Sequence, residues 1–276
     1  LRFSGMPGRA MLGPMSRLSV LGVQLDCVWE DKAANFKKVE ALLEAQPPAP
    51  GALLVLPEMF ATGFSCDLNQ TAEPHGAEPT LAFLRGLAAR WQCAVLGGLV
   101  VRGEDGLARN QALALAPDGR ELARYSKMRP FSAGGEAAVH ARGESPVHFE
   151  WGGLRIAPLI CYDLRFPEIA RAAVAQGAQL LVYQAAWPVK RWQHWLTLLQ
   201  ARAIENQAAV LGVNRTGSDP NFLYNGRSVL VSAHGIITAD AGEQESLLRG
   251  EVDGSALRQW RRDFPALADA GLPFED

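Results

Sequence analysis

The chain has 276 residues, 48% of them hydrophobic and 20% charged, with a formal net charge of −2. That supplies the core of one large domain or two small ones, and it leaves no single-sign field to draw a nucleic acid or an anionic membrane surface. Four cysteines (Cys27, Cys66, Cys93 and Cys161) show no Cys-x-x-Cys spacing, so free thiols in a reducing compartment, the cytoplasm, are expected rather than a zinc site or a disulfide scaffold.

Residues 1–15 are rich in Gly, Pro and Arg and lack the apolar stretch of a signal peptide, so they read as a disordered extension, with Met11 or Met15 as candidate starts. A single domain is expected over residues 16–276. The run 18–24 reads as a strand. Phe36, Val39 and Leu43 then fall on one helical face within 31–44, and Pro47, Pro48 and Pro50 stop that helix. The continuous apolar run 53–56, ended by Pro57, suits a strand covered on both faces. A helix over 81–90 and a strand over 94–101 follow.

Residues 111–116 and 121–126 flank Pro117-Asp118-Gly119, which reads as a hairpin, and 147–151 and 154–160 flank Gly152-Gly153 in the same way. A helix is expected over 167–176, a strand over 180–183, and a helix over 195–206 with Leu196, Leu199 and Ala203 on one stripe. Strands at 210–213, 228–232, 236–238 and 244–252 close the pattern. A polar helix over 255–263 leads into a C-terminal tail. No apolar run reaches the roughly 18 residues of a membrane span, and no Gly-rich phosphate loop follows an early strand. Alternating strands and helices joined by hairpins predict an α/β fold with a mixed sheet or two sheets.

Three reactive side chains each end a predicted strand. Cys161 follows the strand 154–160 and precedes the helix that begins at Pro167. A strand-to-helix turn projects a side chain from a sheet edge and offers backbone N–H groups to a thiolate or an oxyanion. Glu58 follows the run 53–56. A carboxylate shielded from water at a strand's carboxyl end suits a general base near neutral pH. Lys127 ends the strand 121–126, where an ammonium balances carboxylates and stabilises an oxyanion. His194, just before a predicted helix, is the alternative base. Taken singly, each has an ordinary structural reading: a small core thiol, a helix-start carboxylate, a solvated lysine. The other histidines (His75, His140, His148 and His234) show no metal-ligand spacing, so a zinc hydrolase is disfavoured.

Around these residues stand three strings: Leu56-Pro57-Glu58-Met59-Phe60, Tyr125-Ser126-Lys127, and Leu159-Ile160-Cys161-Tyr162-Asp163-Leu164-Arg165-Phe166-Pro167-Glu168. In identity, order and spacing they resemble the nitrilase superfamily of carbon–nitrogen hydrolases, over about residues 18–252. The resemblance implies a four-layer α-β-β-α sandwich with two mixed sheets, a homodimer, and no metal or cofactor. It assigns Glu58 as base, Lys127 as the stabilising cation and Cys161 as nucleophile. A second glutamate of the family falls on Glu136, with Glu144 as the competing position.

Within the superfamily the chain is most similar to the omega-amidase branch, through Ala185-Ala186-Trp187-Pro188, His194-Trp195, the run 201–207 and the run 214–219. It departs from that branch at Ala186, where an Asn is expected, and over residues 131–141. The implied substrate is a small omega-amidodicarboxylate such as 2-oxoglutaramate or 2-oxosuccinamate. The implied course is attack by the Cys161 thiolate, with the tetrahedral oxyanion held by Lys127 and the backbone N–H of Tyr162, loss of ammonia, and hydrolysis of a thioester. Arg165 is the first candidate to bind the substrate carboxylate, with Arg129, Lys190 and Arg191 behind it. Trp187 and Phe64 are candidate walls of the pocket. The alternatives are deaminated-glutathione amidase, N-carbamoyl amino acid hydrolase, or a non-catalytic binding protein on the same fold.

Overall fold

The computed structural model describes residues 17–76 and 78–272; the extension read over residues 1–15 lies outside them. Period-two alternation decides how the first strands are used. In the strand Leu53–Val55, Leu53 and Val55 face one core, while Leu54, with Leu56 just beyond the strand, faces another. Successive side chains leave a strand on opposite sides. The same split separates Leu18 and Val20 from Leu21 and Val23 in Arg17–Gln24.

A sheet buried on both faces needs a layer on each side. Helices Lys32–Ala45 and Pro79–Trp91 cover one side through Val39, Leu43, Leu84 and Leu87. The other side meets a second sheet, whose outer face is covered by helices Pro167–Ala175 and Trp192–Asn206 through Ile169, Ala173, Leu199 and Ala203. The layers therefore run α-β-β-α, with two mixed sheets.

The first sheet follows the order Ser246–Asp253, Arg17–Gln24, Leu53–Val55, Ala94–Arg102, Ala108–Leu115, Glu121–Ser126, with Ala72–Pro74 also paired to Ala94–Arg102. The second follows Ile237–Asp240, Val229–Val231, Ala209–Asn214, Leu180–Ala185, Leu154–Ile160, Phe149–Trp151. Each sheet has a parallel centre: Arg17–Gln24, Leu53–Val55 and Ala94–Arg102 in the first, and Leu154–Ile160, Leu180–Ala185 and Ala209–Asn214 in the second. Gln184 ties the two centres at their carboxyl ends. Its Nε2 donates to the Leu56 carbonyl at 2.5 Å and the Leu96 carbonyl at 3.3 Å.

The structure differs from the sequence reading in its shortest pieces. The helix Leu68–Thr71, the strand Ala72–Pro74 and the hairpin Thr216–Ser218/Leu223–Asn225 are too short to show a period. The helix expected from residue 195 begins at Trp192, so His194 lies within it rather than before it. The chain from Gly254 forms a helix to Asp263, capped by the Asp253 carboxylate, which accepts from the Ser255 and Ala256 N–H groups. It packs down through Leu257 and Arg261, and the short helix Ala266–Asp269 buries Leu267. Among the described residues no helix is long and apolar enough to cross a membrane.

Candidate active site

Glu58 reaches the site because the chain leaves Leu53–Val55, passes Pro57 and turns sharply at Met59, whose φ is 47°. Gly98 of the neighbouring strand lets this turn come close: a Cβ there would stand 2.7 Å from the Met59 nitrogen and 2.8 Å from the Pro57 carbonyl oxygen. The Glu58 side chain is fully buried. Its Oε1 accepts from Lys127 Nζ at 2.7 Å and from Asn110 Nδ2 at 2.8 Å, and its Oε2 accepts from the Ala186 N–H at 2.9 Å.

Lys127 follows Glu121–Ser126, and its backbone is fixed on both sides: its N–H donates to the Asn110 carbonyl and its carbonyl accepts from the Gly143 N–H, both at 2.9 Å. Nζ also donates to Glu136 Oε2 at 2.7 Å and lies 5.6 Å from the centre of the Phe64 ring. Burial by itself would lower the lysine's pKa. The Glu136 and Glu58 carboxylates outweigh it and hold the ammonium well above the ordinary lysine range.

Glu136 opens the 3₁₀ turn Glu136–Ala138 after Gly135, whose φ of 82° glycine adopts without strain. Its carboxylate accepts from the Phe131 N–H at 2.6 Å and from Asn110 Nδ2 at 2.8 Å. Burial opposes its ionisation. Lys127 and these donors win, and its pKa lies below the usual value. Glu144, the competing position, is exposed.

Cys161 is the first residue of the 3₁₀ turn Cys161–Arg165, directly after Leu154–Ile160. Its φ of 45° is left-handed, a conformation that costs a residue other than glycine about 1–3 kcal/mol and gathers at functional sites. Burial raises the thiol's pKa most, and the Glu58 charge together with a hydrogen bond to Glu58 raises it further; Lys127 and the Ala186 N–H lower it. The balance keeps the resting thiol protonated, with its proton facing the carboxylate. The structure thus brings together Glu58, Lys127, Glu136 and Cys161, drawn from both sheets. Among the contacts described, His194 has none with the thiol. It is exposed, and its Nδ1 lies 3.3 Å from Arg165 Nη2.

A narrow cleft opens above Cys161. Phe64, Phe131, Trp187 and Phe222 form its walls, and Arg165 and Arg191 are its charged groups. The Arg165 guanidinium stacks 4.8 Å from the Trp187 ring centre, and that of Arg191 lies 5.5 Å from the Phe131 ring centre. Neither forms an ion pair with a described residue. Burial and the like charge of Arg191 both lower the pKa of Arg165. Arg129 turns elsewhere, to Glu168 at 3.7 Å, and Lys190 is exposed outside the cleft. Tyr162 lines the cleft, with its ring against Phe131 and Phe166 at 5.0 and 5.2 Å.

Several site residues escape a reading by periodicity. Asn110 joins Glu58 to Glu136 from just before the expected start of its strand at residue 111, beside a second amide at Gln111. Ala186 contributes only its backbone N–H, which no side-chain pattern discloses. Phe222 enters on the hairpin too short to be read. Cys66 is half-buried beside the site, packed against the apolar cluster that includes Met59 and Phe64, with its Sγ 3.4 Å from the Gly134 carbonyl.

A carbon–nitrogen hydrolase family model matches residues 20–262. The chain is 40% identical to an omega-amidase, YafV, of Yersinia enterocolitica over 92% of this chain and 97% of that protein. It is 31% identical to a 2-oxoglutaramate amidase of Bacillus subtilis over 90% and 95% of the two chains. In structure it is similar to a CN-hydrolase superfamily protein of Xanthomonas campestris that carries an arsenic adduct in its active site. The TM-score is 0.86 and the identity 37%, covering 92% of this chain and 97% of that one.

Proposed function

The chain belongs to the carbon–nitrogen hydrolase family, and from that premise we propose that it is an amidase releasing ammonia from the side-chain amide of a small omega-amidodicarboxylate, 2-oxoglutaramate or 2-oxosuccinamate. One observation carries the reading: a buried cysteine, a carboxylate and an ammonium share one hydrogen-bonded cluster at the floor of a cleft whose charged groups are two arginines.

Glu58 takes the Cys161 proton as the sulfur attacks the amide carbon, so no free thiolate has to be stored in a buried site. Lys127 and the backbone N–H of Tyr162 receive the negative oxygen of the tetrahedral intermediate; one such donor is typically worth roughly 3–4 kcal/mol of barrier. Glu58 then passes the proton to the departing nitrogen, the C–N bond breaks, and ammonia leaves a thioester on Cys161. Glu58 next takes a proton from water, hydroxide adds to the thioester carbon, and the C–S bond breaks. The acid leaves and the proton returns to sulfur. Glu136 and Asn110 hold Lys127 and Glu58 in place throughout. Arg165 binds the substrate carboxylate, which a guanidinium can grip through two parallel bonds, and Arg191 adds a second positive group. Phe64 and Trp187 wall the carbon chain.

Similarity to the omega-amidase and the 2-oxoglutaramate amidase supports the substrate choice. All four cysteines are free thiols, which supports a cytoplasmic setting. The family resemblance supports a homodimer, which light scattering on the purified chain tests. Substrate profiling tests the reading. Ammonia release from 2-oxoglutaramate should exceed that from a neutral amide of similar length by at least about 100-fold in kcat/KM, and Arg165→Met should remove most of that preference. A preference for deaminated glutathione or for carbamoyl amino acids would replace this substrate and leave the amidase chemistry standing.

A further inference from the structure

Asp163 is fully buried, close to Lys127 and Cys161 but outside the hydrogen-bonded cluster that holds them. Its carboxylate accepts three hydrogen bonds. Oδ2 takes the Ile160 N–H at 3.1 Å and the Tyr125 hydroxyl at 2.8 Å, and Oδ1 takes the Arg129 N–H at 2.9 Å. Ile160 is the residue before the nucleophile. Tyr125 and Arg129 lie two residues before and two after Lys127.

A carboxylate that merely starts a helical turn needs only local donors. Two of these three come from elsewhere in the chain, the Tyr125 hydroxyl from a strand of the first sheet and the Arg129 N–H from the segment just after that strand, across 38 and 34 residues of sequence. Glu121–Ser126 is an edge strand of the first sheet, and Leu154–Ile160 lies in the second. One side chain thereby spans the two backbone segments that carry the cation and the nucleophile. Burial pushes the Asp163 carboxyl up to about 7, against the lowering effect of Lys127 and of these donors. An ionised carboxylate kept in such a place depends on its hydrogen bonds.

We propose that Asp163 is a positioning residue that fixes the Cys161 turn against the Lys127 segment, so that the left-handed nucleophile and the oxyanion cation keep their spacing through both halves of the reaction. It acts through Cys161 and Lys127 and touches no reacting atom. The inference rests on the roles proposed above for those two residues.

The test compares Asp163→Asn, Tyr125→Phe and Cys161→Ala in the full chain, with 2-oxoglutaramate hydrolysis and alkylation of Cys161 by iodoacetamide, read on the Cys161 peptide by mass spectrometry. An amide at 163 presents an N–H where the carboxylate oxygen accepts, so Asp163→Asn should lower kcat on the order of 100-fold with KM within about threefold. The alkylation rate of Cys161 should change in the same variant, at a wild-type circular dichroism spectrum. A residue that only supports the fold would lower the folded fraction and leave kcat per folded molecule and the alkylation rate unchanged; that outcome overturns the proposal. If Asp163→Asn does not fold, Tyr125→Phe decides. It removes one donor and leaves the carboxylate, so a loss of roughly three- to tenfold in kcat at constant KM supports the coupling, and an unchanged kcat overturns it. Cys161→Ala separates the two levels. If it is inactive while both other variants match wild type, only the positioning role fails; if it is active, the mechanism fails first.

Discussion

Lys127 places an ammonium between two carboxylates in a space closed to water, 2.7 Å from each. Buried ions tolerate this only as a group, because each is stabilised by the others and by Asn110. Lys127→Met should therefore destabilise the fold by about 3–5 kcal/mol, since it strands Glu58 and Glu136 without their counter-ion. Urea unfolding should show a lowered midpoint along with lost activity. A midpoint equal to wild type would mean that the cluster is not ionised as described. Glu58, Lys127 and Cys161 stood out in the sequence because their chemistry is unusual at strand ends and the strings around them are specific, and the structure brings the three together. Asn110 and the Ala186 N–H gave no such signal: Asn110 lies just before the expected start of its strand at residue 111, beside a second amide at Gln111, and Ala186 contributes only a backbone donor.

The elements that deliver these groups are strand ends, and their accuracy depends on close approach. Gly98 is the clearest case, since its missing Cβ is the space that the Pro57–Met59 backbone occupies. Gly98→Ala should push that backbone outward and carry Glu58 with it. A displacement of about 1 Å at a reacting group costs on the order of 100-fold in rate, so kcat should fall sharply while the folded state persists. Steady-state kinetics with circular dichroism on the same preparation checks this, and wild-type kcat would show that the turn absorbs the methyl group. Most long elements were read from the sequence to within one or two residues, because eight or more residues display a period, though Ala108–Leu115 and Trp192–Asn206 each begin three residues before the expected start. Leu68–Thr71, Ala72–Pro74 and the hairpin that carries Phe222 were not. Part of the cleft wall was hidden for that reason alone.

At the scale of the whole molecule, two sheets meet face to face beside the site; Gln184 ties their parallel centres, and Asp163 ties the second sheet to the edge strand of the first and the segment after it. The continuous apolar run 53–56 implied burial on both faces, but four layers followed from the family resemblance rather than from periodicity. Which strand lies beside which is set by contacts distant in sequence, beyond what any local window carries.

Burial also ties stability to pH through His140. Among the described residues neither of its ring nitrogens has a hydrogen-bond partner, and burial lowers its pKa from the ordinary 6.5 despite the nearby Glu136. The unfolded chain therefore takes up this proton more readily than the folded one. Stability contributed by His140 is fully present above pH 6.5 and is lost as pH falls below it, toward the lower folded value. The Tm of wild type should fall between pH 6.5 and about 5 by more than that of His140→Leu. Equal slopes would show that His140 protonates freely in the fold. Glu136, whose pKa is lowered from 4.5, acts below that window.

In the proposed reaction Cys161 carries the acyl group. The measurement that tests it most directly is mass spectrometry of the chain acid-quenched during turnover of 2-oxoglutaramate, with Cys161→Ala run beside it. An acyl adduct on the Cys161 peptide, equal in mass to the substrate less ammonia, is expected, with no ammonia release from the alanine variant. Continued ammonia release by Cys161→Ala, or an adduct on another residue, would contradict it.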